Sequence, residues 1–238
     1  MKSALRRRPR KTQSGTKSRL LRRIARWLSI GLVAFIGLCG LSLLLMRWID
    51  PPFTAVHAER RIESLFRKGR YQKRYRFVPL RRISVPLQHA VIAAEDGRFY
   101  QHWGLDVLEM KKVVEDDWTR GRMRGGSTIT QQLVKNLFLT TRGSVIRKGF
   151  EFVLAPLAEV LLPKDRILEL YLNVIEWGPG VYGAEAAARQ YYATSAVAIG
   201  REQAARLAAI IPSPLRRRPG RMDDYSSEIL ERMSRMGW

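Results

Sequence analysis

The hydrophobic pattern divides the chain into one long uncharged run followed by shorter amphipathic segments. Residues 27–46 are twenty consecutive positions without a charged side chain. As a helix this run is about 30 Å long, which matches the hydrocarbon core of a bilayer. It is longer than the roughly 7–15 apolar residues of a cleaved signal peptide. The pattern therefore predicts a retained transmembrane helix over 27–47, with a buried core helix as the alternative.

Beyond this run, apolar residues recur mostly at helical spacing. Ser84 reads as the N-cap of a helix with Pro86 in its first turn. Leu87, Ala90 and Ala94 then form an apolar face of this helix. Residues 75–80 alone resemble a short strand. The chain of 238 residues suffices for one core but not for two. We predict a mainly α domain over 48–238, with further helical patterns at 105–118, 128–139, 145–162, 164–174, 183–192 and 202–211.

The charge is strongly positive and unevenly placed. The chain has 43 Lys and Arg against 21 Asp and Glu, a net charge of +22. The first 26 residues carry eleven of the bases and no acid, so the positive-inside rule predicts a cytoplasmic tail over 1–26 and a domain on the far side of the membrane. The surplus indicates an anionic partner: nucleic acid, an acidic membrane surface or a phosphate-bearing substrate. The single Cys39 excludes an intrachain disulfide.

The first candidate for chemistry is Glu95, at the end of the apolar helix and beside Asp96. Apolar surroundings disfavour the ionised carboxylate and raise its pKa toward the range useful for proton transfer. A solvated helix terminus is the alternative for this acidic pair. Phe99 and His102, which follow closely, would individually be a core residue and a structural histidine.

A second candidate is the glycine-containing start of the helix predicted at 128–139. Gly126 permits close approach of a ligand, and Ser127 or Thr128 would cap a helix whose free N–H groups suit phosphate. Arg120, Arg122 and Arg124 add positive charge nearby. The run is not a Walker loop because no Gly-Lys-Ser/Thr ends it. An ordinary capped helix is the alternative; the predicted binding residues are Gly126, Ser127, Thr128, Gln131, Gln132, Lys135 and Asn136.

Two further runs carry charged residues at helical spacing. Arg147 and Lys148 stand close before Glu151, an arrangement that suits a diphosphate and its metal ion or a surface ion-pair cluster. Residues 164–173 are typical of a packing helix, with Glu169 as an internal ion-pair partner.

Taken in order, these four runs resemble the family-51 glycosyltransferases, the peptidoglycan polymerases. The resemblance covers about residues 75–215 and departs at 191–195, where Tyr-Tyr-Ala-Thr-Ser replaces the usual Tyr-Phe-Gly-Lys-Ser. We therefore assign no substrate contact to Ala193 or Thr194. The matching patterns are Glu-Asp-x-x-Phe-x-x-His-x-Gly at 95–104, Gly-x-Ser-Thr-x-x-Gln-Gln ending at Gln132, Arg-Lys-x-x-Glu at 147–151, and Arg-Ile-Leu-Glu-x-Tyr-Leu-Asn at 166–173.

The resemblance implies a lysozyme-like helical domain outside the inner membrane of a bacterium, acting in cell-wall biogenesis. The implied substrate is lipid II, a disaccharide-pentapeptide joined through pyrophosphate to a polyprenyl chain. It would be polymerised with inversion into β-1,4-linked strands, with release of polyprenyl diphosphate. Glu95 and Glu151 would be catalytic, and Asp96, Phe99, His102, Arg147 and Lys148 would join the helix-start residues in binding substrate.

The resemblance also implies partners and cofactors. We expect a divalent cation, Mg²⁺ or Mn²⁺, at Glu151 and no organic cofactor. The expected partners are lipid II, the growing lipid-linked strand, the membrane and cell-wall assembly proteins, with no nucleic acid. Family members with a penicillin-binding transpeptidase domain are much longer, and the only Ser-x-x-Lys here, at 14–17, lies in the tail. Polymerisation without transpeptidation is therefore expected.

Two other functions compete with this expectation. A lytic transglycosylase or glycoside hydrolase would cleave the same polymer with a pair of carboxylates, but it would not need Lys135, Arg147 and Lys148 as phosphate ligands. A membrane-tethered basic module that binds nucleic acid or anionic lipid would explain the charge, but it leaves Glu95 and Glu151 without a role.

Overall fold

The structure is a computed structural model that describes residues 14–66, 71–111 and 126–238, without the side chains of 14–17. The second half of the helix predicted at 105–118, and Arg120, Arg122 and Arg124, lie outside these residues. Contacts between Cα atoms divide the chain into two units, residues 1–39 and 40–238.

The described part of the N-terminal unit lies in one long helix, α1, which spans Ser14–Leu45; its residues 40–45 belong to the second unit. Its part from Ser18 to Leu45 is long and apolar enough, by length and composition, to cross a membrane. Large apolar side chains along it, such as Trp27, Leu28 and Val33, are exposed. The helix begins well before the apolar run because Arg and Lys are good helix formers and continue it.

The second unit is mainly helical, as predicted. Its small sheet has the order β1-β3-β2, with β1 parallel and β2 antiparallel to β3. The strands are β1 Arg74–Tyr75, β2 Glu176–Gly178 and β3 Val181–Tyr182. The helices are α2 Ala55–Leu65, α3 Val85–Glu95, α4 Ile129–Phe138, α5 Val145–Leu161, α6 Lys164–Val174, α7 Ala184–Tyr192, α8 Arg201–Ile210 and α9 Asp223–Arg235.

Local side-chain caps set the starts of the helices that carry the predicted motifs. Ser84 accepts a hydrogen bond from the backbone of Leu87 and begins α3. Thr128, and not Ser127, caps α4, and it forms a reciprocal capping box with Gln131. Ser144 caps α5 by accepting a hydrogen bond from the backbone N–H of Arg147. These starts agree with the sequence pattern because a cap is an interaction between residues three apart.

Helix α5 agrees with the helical pattern expected at 145–162, and it continues without a break through Pro156. The loop after α3 lies against this part of the helix. Gly104 has a φ of +80°, and a Cβ atom there would lie 2.7 Å from the backbone carbon of Ala155. Only glycine satisfies both the positive φ and this close approach. Gly104 thus fixes the loop that follows Glu95 against α5.

The sequence pattern missed two elements of the second unit. The β2–β3 hairpin and helix α9 were not predicted, and the strand expected at 75–80 is confined to Arg74–Tyr75. In α9, Ile229 and Met233 are fully buried, and this helix packs on α3 and α8. The i, i+4 spacing of Ile229 and Met233 was a usable sequence signal for helix α9.

Candidate active site

Glu95 is the last residue of α3, and its carboxylate is partly open to solvent. Its Oε2 accepts a hydrogen bond of 2.7 Å from Nε2 of Gln132 on α4. Burial raises the pKa of Glu95, which the bond from Gln132 and the charges of Lys135 and Arg217 oppose. Desolvation is the largest of these effects, so the carboxylate has an increased affinity for a proton, as a general base requires.

The orientation of Gln132 is set by Tyr171 on α6. The Tyr171 hydroxyl donates to Gln132 Oε1 over 2.9 Å. Burial raises the pKa of Tyr171 well above its ordinary value of 10.0, so the phenol stays protonated and acts as the donor. An amide whose oxygen accepts must turn its NH₂ group the other way, toward Glu95. Tyr171 was not among the predicted site residues, although it lies in the fourth matched run.

Asp96, Phe99 and His102 lie beneath the site and are buried. Both oxygens of Asp96 are within 3.0 Å of His102 Nε2, and Oδ2 also accepts from the backbone N–H of Ile129 over 2.9 Å. Asp96 therefore ties the end of α3 to the start of α4. The predicted substrate contacts of these three residues stay predictions, because their observed partners are other parts of the protein.

Several predicted residues of the second run build the start of α4. The Thr128 hydroxyl donates to the Gly104 carbonyl over 2.6 Å, and Gln131 Oε1 accepts from the Thr128 backbone over 3.0 Å. Asn136 donates to the Gln132 carbonyl one turn back. Of this run, Gly126, Ser127, Gln132 and Lys135 keep partial exposure, so they are the ones available to a ligand.

A cation-rich cluster surrounds Glu151, which is only 2% exposed. Its carboxylate pairs with Arg147 through Oε1 and with Lys148 through Oε2. Lys148 also donates to the Ser127 hydroxyl over 2.8 Å, which brings the second and third runs together. With Lys135, the cluster has three cations to one carboxylate, so two positive charges remain to attract an anion.

Lys135 connects the cluster to Glu95. Burial lowers the pKa of Lys135, and the charges of Glu151 and Glu95 both raise it. The lysine is therefore within electrostatic reach of the two carboxylates that the sequence predicted to be catalytic. An anion at this lysine would be within electrostatic reach of both carboxylates.

The residues at Glu151 do not fit a resident divalent cation. Both carboxylate oxygens are already paired with cations, and Mg²⁺ sites draw on oxygen ligands, not on ammonium or guanidinium groups. Within residues 14–66, 71–111 and 126–238, the one cluster with metal-ligand spacing is Asp96, His102 and Asp106. There Asp96 is committed to His102 and Ile129. The cation predicted at Glu151 stays a prediction that this arrangement does not favour.

Comparison with known proteins identifies the family. Residues 60–236 match the family model described as Transglycosylase. A biosynthetic peptidoglycan transglycosylase of Pseudomonas entomophila is 41% identical over 93% of this chain and 89% of its own length. Its counterpart in Dechloromonas aromatica is 46% identical over 80% and 86%, and that of Bordetella pertussis 47% over 77% and 80%.

These matches cover the whole arrangement around Glu95 and Glu151, and they confirm both the family and the glycosyltransferase class expected from the four sequence runs. The chain therefore belongs to the transglycosylase family, together with these biosynthetic peptidoglycan transglycosylases.

Proposed function

We propose that this protein polymerises lipid II into β-1,4-linked glycan strands, with inversion and with release of polyprenyl diphosphate. One observation carries the proposal: the half-buried carboxylate of Glu95 is held by Gln132, and Lys135 is within electrostatic reach of both Glu95 and the cation-rich cluster at Glu151. Glycosyl transfer from a diphosphate requires a base for the attacking hydroxyl and cations for the leaving group, and this site has both.

Glu95 acts as the general base. Its Oε2 is held by Gln132, which leaves Oε1 to take the proton from the acceptor's 4-hydroxyl. The acceptor's 4-oxygen forms a bond to C1 of the growing strand as the bond from C1 to the phosphate oxygen breaks. The electron pair leaves with the diphosphate, and attack from the opposite face inverts C1.

The cation-rich cluster receives the leaving diphosphate. Lys148, which bonds Ser127 and Glu151 in the free protein, is partly exposed and can turn toward phosphate oxygens. Arg147 offers a planar fork that suits two phosphate oxygens at once. Glu151 orders these two cations by pairing with both. It is thereby a positioning group for the diphosphate site.

Helix α1 anchors the catalytic domain in the bacterial inner membrane in this proposal. The 28-residue helical stretch from Ser18 to Leu45, which contains nearly all of the uncharged run, supports a single-pass anchor, and the eleven bases of the first 26 residues support a cytoplasmic N-terminus. The catalytic domain then faces the periplasm. A lipid-linked substrate requires such a site close to the bilayer. Cell-wall assembly proteins are the expected protein partners.

Polymerisation of purified lipid II in detergent by the wild type and by Glu95→Gln tests the proposal. Glutamine keeps the size of the side chain but cannot take the proton, so the rate should fall by about 10²–10⁴. Glu228→Gln removes an equivalent charge from α9, where the side chain is 60% exposed, and should polymerise normally. Wild-type rates from Glu95→Gln would refute the role of Glu95. Shortening of pre-formed glycan in place of strand growth would instead indicate a hydrolase or lytic enzyme.

A further inference from the structure

Residues 215–221, which we name the arginine loop, follow α8 and lie outside the four matched runs. The loop contains Arg216, Arg217, Arg218 and Arg221. In the part of the chain that the structure describes, none of the four is within ion-pair distance of a carboxylate. Four neighbouring cations without an acid form a strongly positive surface.

Arg217 carries this positive surface to Glu95. Its Nη1 donates to the Ala209 carbonyl on α8 over 2.8 Å, and its guanidinium lies 5.2 Å from the ring centroid of Tyr225. These two contacts fix the side chain beside α8, which packs on α3. The charge of Arg217 lowers the pKa of the Glu95 carboxyl, so Arg217 is within electrostatic reach of the proposed base.

Arg216 and Arg218 also belong to the positive surface of the arginine loop. Both are exposed, and the backbone N–H of Arg216 bonds the Ser213 carbonyl over 3.0 Å in a turn. Arg218 Nη1 donates to the carbonyl of Arg217 over 2.8 Å, and its charge acts on Tyr191 at the end of α7. The guanidinium groups of Arg217 and Arg218 are therefore held by separate contacts, with the carbonyls of Ala209 and Arg217 respectively.

We propose that the arginine loop binds the carboxylates of the peptide carried by the acceptor disaccharide; this inference rests on the function proposed above. The reacting sugars are uncharged, and the leaving diphosphate has its own cations at Arg147, Lys148 and Lys135. A single compact anion would need convergent donors. Separate carboxylates along an extended peptide match separate guanidinium groups, each of which suits a carboxylate geometrically.

The experiment compares two substrates and three forms of the full-length protein. One substrate is lipid II with its ionised peptide, and the other is lipid II with every peptide carboxylate converted to an amide. The proteins are the wild type, R216Q/R218Q and R81Q/R82Q. Arg81 and Arg82 form a matched control because they are exposed, also make no ion pair among the described residues, and precede the opposite end of α3. The measured quantity is the ratio of kcat/KM for the acidic substrate to that for the amidated one.

We expect the wild type to prefer the acidic substrate and R216Q/R218Q to lose about fivefold of that preference, as for two exposed ion pairs. R81Q/R82Q should keep the wild-type ratio. Added salt should reduce the wild-type preference, because exposed charges are screened. An unchanged ratio in R216Q/R218Q overturns the inference. Equal losses on both substrates also overturn it, since they would assign the loop to the acceptor's diphosphate.

The two proposals fail in different ways in this experiment. If the wild type polymerises neither substrate, the function proposed for Glu95 and the cation-rich cluster is wrong. If it polymerises both with the same kcat/KM, polymerisation stands and only the assignment of the arginine loop falls.

Discussion

Replacing Tyr171 by phenylalanine removes a single hydroxyl from a side chain that is 0% exposed. The lost group donates to Gln132 Oε1 over 2.9 Å. Leaving this part-buried oxygen without its donor costs at most about 1–3 kcal/mol, the range for a buried acceptor. The amide is then free to turn over, and a flipped Gln132 presents oxygen, not NH₂, to the Glu95 carboxylate. Since 1.4 kcal/mol is tenfold in a population, we expect kcat/KM for lipid II polymerisation to fall by about tenfold.

The direction of the pH effect follows from the same contact. The bond from Gln132 lowers the pKa of Glu95 against the effect of burial. Its loss therefore raises the pKa, and the ionised base is present only at higher pH. The acidic limb of the pH profile of kcat/KM should move upward in Tyr171→Phe. Profiles of wild type and variant, measured in the same detergent, show the shift directly.

Tyr192→Phe provides the matched control for this substitution. The Tyr192 hydroxyl is buried, and no residue in the described ranges hydrogen-bonds to it, so its removal breaks no such contact. We expect Tyr192→Phe to keep both the rate and the pH profile of the wild type. If Tyr171→Phe and Tyr192→Phe have the same profile, the orientation of Gln132 by Tyr171 is refuted.

Two further predictions concern the stability of the domain. Gly104→Ala should lower the free energy of unfolding by about 1–3 kcal/mol, because φ at this position is +80° and the new Cβ would meet the backbone of α5. A Cβ at Gly97 would meet open space, so Gly97→Ala should have a smaller effect in thermal unfolding. Burial lowers the pKa of His57 from 6.5 to about 4. As the pH falls, the imidazole therefore takes up a proton in the unfolded chain before it does so in the folded protein. The free energy of unfolding should decrease by about 2 kcal/mol between pH 7 and 5. His57→Phe should lack this component in urea unfolding, and equal pH dependence in both proteins would contradict the assignment.

The parts of the fold that could be predicted are those that depend on near neighbours. The starts of α3 and α4 follow from Ser84 and Thr128, each bonded to a backbone N–H three residues later. Helix α6 has the predicted bounds Lys164–Val174. Helix α9 also carries a local signal, but the prediction ended at residue 211. Helix α5 ends one residue before the predicted pattern at 145–162, with Pro156 inside it.

The candidate site was predictable as a set of residue types but not as a set of roles. Glu95, Asp96 and His102 stand within one short run, yet the structure leaves Glu95 partly open and buries the other two. Tyr171 and Gln132 are 39 residues apart, and Arg217 is farther still from Glu95. A local sequence pattern does not relate residues this far apart in the chain, so only burial and hydrogen bonding in the folded protein distinguish what each side chain contacts.

The sequence by itself determined the family through its ordered motifs, the mainly helical class through its apolar spacing, and the basic N-terminus with its long apolar run. These are properties of residues close together in the chain. The tertiary structure alone decided that Gln132 faces Glu95, that both carboxylate oxygens of Glu151 pair with Arg147 and Lys148, and that Arg217, from outside the motifs, is within electrostatic reach of Glu95. The reason is physical: desolvation and charge pairing depend on distance in space, which packing sets between elements far apart in sequence.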